Sequence, residues 1–299
     1  MCGRAGGAAR IWFVTLIVAR AGGWGVRVAG DLRVTDREAV KGGYGTGVLK
    51  SIVLNRGLCV SFAGTPVTAA LDAVRRQVDR ASDVLAVEQG LLTEHRQLDG
   101  RVDFLVAALG PPRLSVLTGG ELRGPVPNGW IGDYDAFSAY QRAFHYHRPS
   151  SLSPGYEARR EELEIGSAMM TAMDQVIDDD AVPSVGETAI HVVPEPIGFR
   201  YSNAARMVGG FVPQSIPSGV PTTIRFGGAA EGGFAYSTLV PDEVGIGAVG
   251  LYFRQGRFGL FYQPLRFDFP ECYPNVSHDE FREAVMRRRG IAIQGGMIG

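Results

Sequence analysis

The apolar positions of this chain change period along its length, and the changes mark its elements. Ile11–Ala19 is a nearly unbroken apolar run rich in β-branched and aromatic residues, the pattern of a strand buried on both faces. Gly22-Gly23 follows, and then Trp24–Gly30, a second strand-like segment, so the two predict a hairpin. A polar, glycine-rich loop, Asp31–Gly47, leads to strands at Val48–Leu54 and Leu58–Phe62, split by Asn55-Arg56-Gly57. Thr65 and Pro66 fit the cap and first position of a helix, in which Val67, Ala70, Leu71, Val74 and Val78 recur at helical spacing. The pattern then predicts a helix over Val84–Leu98, strands over Val102–Leu109 and Arg113–Thr118, helices over Asp135–Phe144 and Tyr156–Ile177, and strands over Thr188–Val193 and Phe199–Tyr201. Strands and helices come in segregated groups, which predicts layers rather than alternating βαβ units. In the last third, Thr222–Phe226, Gly233–Leu239, Gly245–Phe253 and Arg257–Tyr262 read as strands. Ser277 and Glu280 form a capping box for a final helix through Arg288, with Arg287–Arg289 suiting its C-terminal dipole.

Composition narrows the function classes. With 299 residues, 45% hydrophobic and 20% charged, the chain can bury a sizeable core. Lys+Arg is 30 against 31 Asp+Glu, so there is no basic excess and no nucleic-acid partner is expected. The 41 glycines follow no strict repeat and fit tight turns between many strands. Cys2, Cys59 and Cys272 form neither a disulfide framework nor a zinc spacing, which points to a reducing, cytoplasmic compartment. No apolar run reaches the roughly 18 residues of a membrane span, so no membrane partner is expected. Arg4 and Arg10 before Ile11–Ala19, with Ala19-Arg20-Ala21 after it, also read as a signal peptide, an alternative to the buried strand. His145 and His147 lack a third metal ligand, and no cofactor is expected.

Four segments carry a resemblance. Thr15–Ala19, Val26–Asp31, Val48–Ile52 and Val60–Gly64 resemble the N-terminal half of proteasome β-subunits and of the related bacterial ATP-dependent threonine protease, members of the N-terminal nucleophile hydrolases. The step of 16 residues from Thr15 to Asp31 matches that pattern. Phe104–Ala108, Leu114–Leu117, Ile131-Gly132 ahead of a helix, and Ser184–Gly186 ahead of a strand continue it, over about Ile11–Pro196. The resemblance implies an α+β fold, a four-layer αββα sandwich of two antiparallel sheets, here followed by a β-rich C-terminal extension. The expected units are 1–14 as a propeptide or upstream translation, 15–198 as the sandwich and 199–299 as the extension.

The implied chemistry is hydrolysis of an amide or peptide bond. An N-terminal threonine carries its own base, the α-amine, whose ordinary pKa lies near 7.7–8.0. By resemblance, Thr15 is the nucleophile, and Asp31 pairs with Lys50 beside it. The Gly64 N–H faces the oxyanion, and Asp133 and Ser184 support the amine. A peptide or small amide substrate, a homo-oligomer and a separate ATPase partner are implied likewise. Three departures stand against the family: Thr15 is internal and follows Val14 rather than a glycine, the loop before Lys50 is longer, and Asp133 stands where a serine is common. Initiation at a GTG codon for Val14, followed by methionine removal, would expose Thr15 without self-cleavage. The alternative is an inactive scaffold or assembly subunit of the same fold. Met1-Cys2-Gly3 resembles the start of glutamine amidotransferases, a weaker match because no strand follows at once.

Overall fold

The first apolar run becomes a central strand because it has two apolar faces to bury. A computed structural model of the chain describes residues 15–34, 36, 38, 47–147, 160–186, 188–201, 205–207, 235–241, 248–253, 257–267 and 270–294. In it β1 (Leu16–Gly22) turns through Gly23-Trp24 into β2 (Gly25–Asp31), antiparallel, with Ile17 opposite Gly30. These strands form the middle of a first antiparallel sheet. β8 (Asn128–Gly132) flanks β1, while β9 (Ala189–Glu195) and then β10 (Gly198–Tyr201) flank β2. The second sheet is an antiparallel run in chain order: β3 (Ser51–Asn55), β4 (Leu58–Gly64), β5 (Val102–Ala108), β6 (Arg113–Thr118) and β7 (Glu121–Arg123).

Strand alternation sorts the side chains of both sheets into three apolar groups. Ile17, Ala19, Val26 and Val28 cluster with Val53, Cys59, Leu105, Ala107 and Leu114 of the second sheet. The alternate residues of the second sheet, such as Val60, Phe62, Phe104 and Val106, cluster with α1 (Val67–Arg75) and α2 (Val84–Gln97). Leu16, Val18 and Ala29 instead join α3 (Tyr134–Tyr146) and α4 (Arg160–Ile177). A third antiparallel sheet holds β11 (Ala205–Met207), β12 (Ala235–Pro241), β13 (Val249–Phe253), β14 (Phe258–Tyr262) and β15 (Glu271–Tyr273), with β16 (Ile293–Gln294) on β12. Its Val249, Leu251, Phe258 and Leu260 belong to the same cluster as Ile17 and Leu105. Tyr252 and Phe261, on the other face, pack under Phe281 and Val285 of α5 (His278–Arg289). The chain is thus α+β, with five α-helices and three antiparallel sheets among the described residues. No described helix is long and apolar enough to cross a membrane.

Several expectations need correction. Thr65 does not cap α1: Pro66 holds the cap position, and the Asp36 carboxylate, from the preceding loop, accepts the Val67 N–H at 3.1 Å. β8 and β7 carry too few apolar residues to stand out by period, and neither was expected as a strand. β10 straddles the boundary expected at residue 198 and pairs with β9, so the first sheet runs to Tyr201. The capping box at Ser277 and Glu280 is present in full. Segment 1–14 with Cys2, the strand expected over Thr222–Phe226 and the helix start over Tyr156–Arg159 lie outside the described residues.

Tyr201 joins the outer strands of the first two sheets. Its buried hydroxyl donates to the Ser51 carbonyl at 2.9 Å and accepts the Val53 N–H at 3.2 Å. Burial pushes its pKa well up, so it serves as a neutral phenol. Tyr201→Phe leaves both backbone groups of β3 without that partner, and a loss of about 1–3 kcal/mol is expected by urea denaturation, with the fold retained.

Candidate active site

Thr15 directly precedes β1, and Asp31 ends β2. The register that sets Ile17 opposite Gly30 therefore brings the two to the same end of the hairpin. Asp31 is held by backbone. Its Oδ1 accepts the Leu16 N–H and its Oδ2 the Arg33 N–H, each at 3.0 Å. The Thr15 hydroxyl donates to Oδ1 of the same carboxylate. Lys50 arrives from the second sheet, where its carbonyl accepts the Phe62 N–H at 3.1 Å. Its Nζ donates to Thr15 Oγ1 at 2.6 Å, to both Asp31 oxygens at 3.1 and 3.2 Å, and to the Arg33 carbonyl at 2.5 Å.

Thr15, Asp31 and Lys50 are 1%, 1% and 4% exposed. A carboxylate and an ammonium at that depth persist only with close mutual contact and further hydrogen bonds, and both have them. The hydroxyl between them donates to the anion and accepts from the cation. This polarises the O–H bond, and the ammonium stands where negative charge on Oγ would develop.

A small pocket is lined by Thr15 and Lys50 of this trio, together with Arg33, Val34, Asp36, Phe62, Ala63, Gly64, Thr65 and Val67. Gly64 lines it at the end of β4, with φ at +125° and no room for a side chain against the Arg101 carbonyl. Gly132 is constrained in the same way: φ is +111°, and a side chain would strike the carbonyl of Thr15. The following Asp133 reaches Thr15 through its backbone, its N–H donating to the Thr15 carbonyl at 2.8 Å. Its carboxylate caps α3, accepting the Ala136 N–H at 2.8 Å. Ser184 is half-buried in the turn before β9, and no described contact joins it to Thr15. Sequence thus brought together Thr15, Asp31, Lys50 and Gly64. It missed Arg33 and Asp36, whose roles are set by backbone atoms and by a helix cap; the polar loop that carries them gives no periodic signal.

Among the described residues, no histidine or cysteine lines the pocket. His95 is tied up between the Val102 carbonyl and the Gly120 N–H. His191 is buried and pushed down to about 4 by desolvation, with the Arg27 charge adding to it, so it is neutral near pH 7. Burial pushes the Cys59 thiol up to about 12, which leaves it an inert hydrophobe. Two hydroxyls line the pocket, those of Thr15 and Thr65, and it is the Thr15 hydroxyl that contacts both the Asp31 carboxylate and Lys50 Nζ. Compared with known proteins, the chain matches no protein-family model and no curated sequence.

The trio predicts an asymmetry in stability. Lys50→Met strips the buried carboxylate of its cation and is expected to cost about 3–5 kcal/mol. Adding Asp31→Asn to Lys50→Met removes the orphaned charge and should recover part of that loss. Urea denaturation of both variants measures it; equal losses in the two would contradict the pairing.

Proposed function

We propose that the chain is an N-terminal nucleophile hydrolase of the proteasome β-subunit-like kind, cleaving an amide or peptide bond through Thr15. The single observation that carries this is the Thr15 hydroxyl held between the buried Asp31 carboxylate and the Lys50 ammonium, with Thr15 and Lys50 lining a pocket. On this reading the fold is a four-layer αββα sandwich with a β-rich extension. The apolar cluster shared by the two sheets supports it, as do the separate clusters under α1 and α2 and under α3 and α4.

The mechanism follows with Thr15 as the first residue of the working chain. Its free α-amine takes the Oγ proton while Oγ bonds to the substrate carbonyl carbon. Lys50 offsets the charge rising on Oγ, and the Gly64 N–H donates to the carbonyl oxygen as it becomes an oxyanion. The C–N bond breaks and the amine returns the proton to the leaving nitrogen, which leaves an ester on Thr15. Water, deprotonated by the same amine, hydrolyses that ester and restores the hydroxyl. The chemistry calls on no cofactor. The reading extends to a homo-oligomer in the cytoplasm, a peptide or small amide substrate and a separate ATPase partner, with neither nucleic acid nor membrane involved.

A specific observation favours a second reading, an inactive scaffold subunit: the Asp133 carboxylate is committed to capping α3 rather than to an amine at Thr15. One experiment separates the two. A chain beginning at Thr15 is treated with a β-lactone, which acylates activated hydroxyls, and assayed on amide substrates. The enzyme reading expects a single adduct mapped to Thr15. It also expects hydrolysis that falls on the order of 10³-fold or more in Thr15→Ala and persists in Thr15→Ser. No adduct and no hydrolysis would leave the scaffold.

A further inference from the structure

Pro66 leaves α1 without a cap of its own. It holds the cap position, its ring carries no acceptor, and the helix begins at Val67 with an N–H that no residue of the helix can take. The acceptor comes from a distant part of the chain. Asp36 Oδ2 takes the Val67 N–H at 3.1 Å, while Oδ1 takes the Glu38 N–H at 3.1 Å. Asp36 follows Asp31 and Arg33 in one loop, and that loop is fastened to the trio at its start. Asp31 Oδ2 accepts the Arg33 N–H at 3.0 Å, and the Arg33 carbonyl accepts from Lys50 Nζ at 2.5 Å. The same stretch of chain therefore holds the Lys50 ammonium at Arg33 and the start of α1 at Asp36.

The start of α1 is the continuation of Gly64, which ends β4. On the β5 side this corner is fixed by the Arg101 carbonyl, which accepts the Thr65 N–H at 3.2 Å and leaves no room for a side chain on Gly64. Beyond the corner, Asp36 fixes it at Val67. Gly64, Thr65, Val67, Arg33 and Asp36 all line the pocket that Thr15 lines. Asp36 thus ties the loop that steadies Lys50 to the segment that carries Gly64, within the lining of one pocket.

We propose that Asp36 is a positioning residue of the hydrolase: its contact with the Val67 N–H sets the Gly64–Val67 segment relative to Thr15, so that the Gly64 N–H meets the oxyanion. This rests on the hydrolase reading above and deepens it, since Asp36 acts through Gly64 and not on the substrate. The oxyanion forms only as Oγ attacks, so the contact bears on the transition state more than on the bound substrate, and on kcat more than on KM. A misplacement of about 1 Å caused from outside the reacting groups costs on the order of 10²-fold.

The test uses the chain beginning at Thr15 and running to its C-terminus, with a peptide amide as substrate. Asp36→Ala is expected to lower kcat about 10- to 100-fold and to leave KM within about threefold. Asp36→Asn keeps an oxygen that accepts the Val67 N–H and is expected to recover most of the loss. Urea denaturation shows that each variant is folded under the assay conditions. If Asp36→Ala fails to fold, Asp36→Glu, which keeps the carboxylate but displaces it, is expected to lower kcat in the same way. An unchanged kcat in the folded Ala or Glu variant, a loss confined to KM, or an Asn variant no better than Ala would overturn this inference and leave the hydrolase reading standing. A wild-type chain that neither hydrolyses the amide nor is labelled at Thr15 by a β-lactone would overturn both.

Discussion

The buried ammonium–carboxylate contact between Lys50 and Asp31, with the Thr15 hydroxyl wedged into it, is the constraint around which the fold is arranged. Taking both charges out of water costs several kcal/mol per ion unless each keeps close partners. The structure supplies them from the backbone: the N–H groups of Leu16 and Arg33 for the carboxylate, and the carbonyl of Arg33 for the ammonium. Those partners are available only if β1 begins beside the end of β2 and Lys50, directly before β3, comes in from the other sheet. The two constrained glycines follow from the same demand. Gly132 lets the chain pass over the Thr15 carbonyl, and Gly64 lets β4 end against Arg101 while lining the pocket.

A charge pair that stabilised the fold alone would be a weak solution, since well-packed apolar residues of similar volume serve as well or better. What the pair does that apolar residues cannot is act on the hydroxyl. Its position, in the lining of a pocket that no described histidine or cysteine lines, is the ground for proposing a threonine nucleophile that brings its own amine as base. The extension belongs to the same argument. Its sheet shares the central apolar cluster, and Phe267 packs into the cluster of the second sheet and α1, so its placement bears on the stability of the whole.

Much of this was legible in the sequence, for identifiable reasons. β1, β2, β4 and β5 carry dense apolar residues, and α1 repeats Val67, Ala70, Leu71 and Val74 at helical spacing, so period alone locates them. Thr15, Asp31 and Lys50 were legible through their spacing and resemblance, and the structure brings them into mutual contact. Illegible were the features made by backbone atoms and by distant partners. No local pattern shows that Asp36 caps α1 in place of Thr65, that the Asp133 carboxylate turns toward its own helix, or that Tyr201 bridges Ser51 and Val53 some 150 residues away. β8 escaped notice because its exposed edge needs few apolar residues, although its end positions Thr15.

The central claim is that Thr15 works as an N-terminal nucleophile, and the chemistry requires its α-amine to be free. The intact mass of the protein isolated from its native host, with sequencing of its first residues, tests this most directly. The account predicts a mature chain whose first residue is Thr15, with an unmodified amine. A mature chain that retains any residue before Thr15 would contradict it.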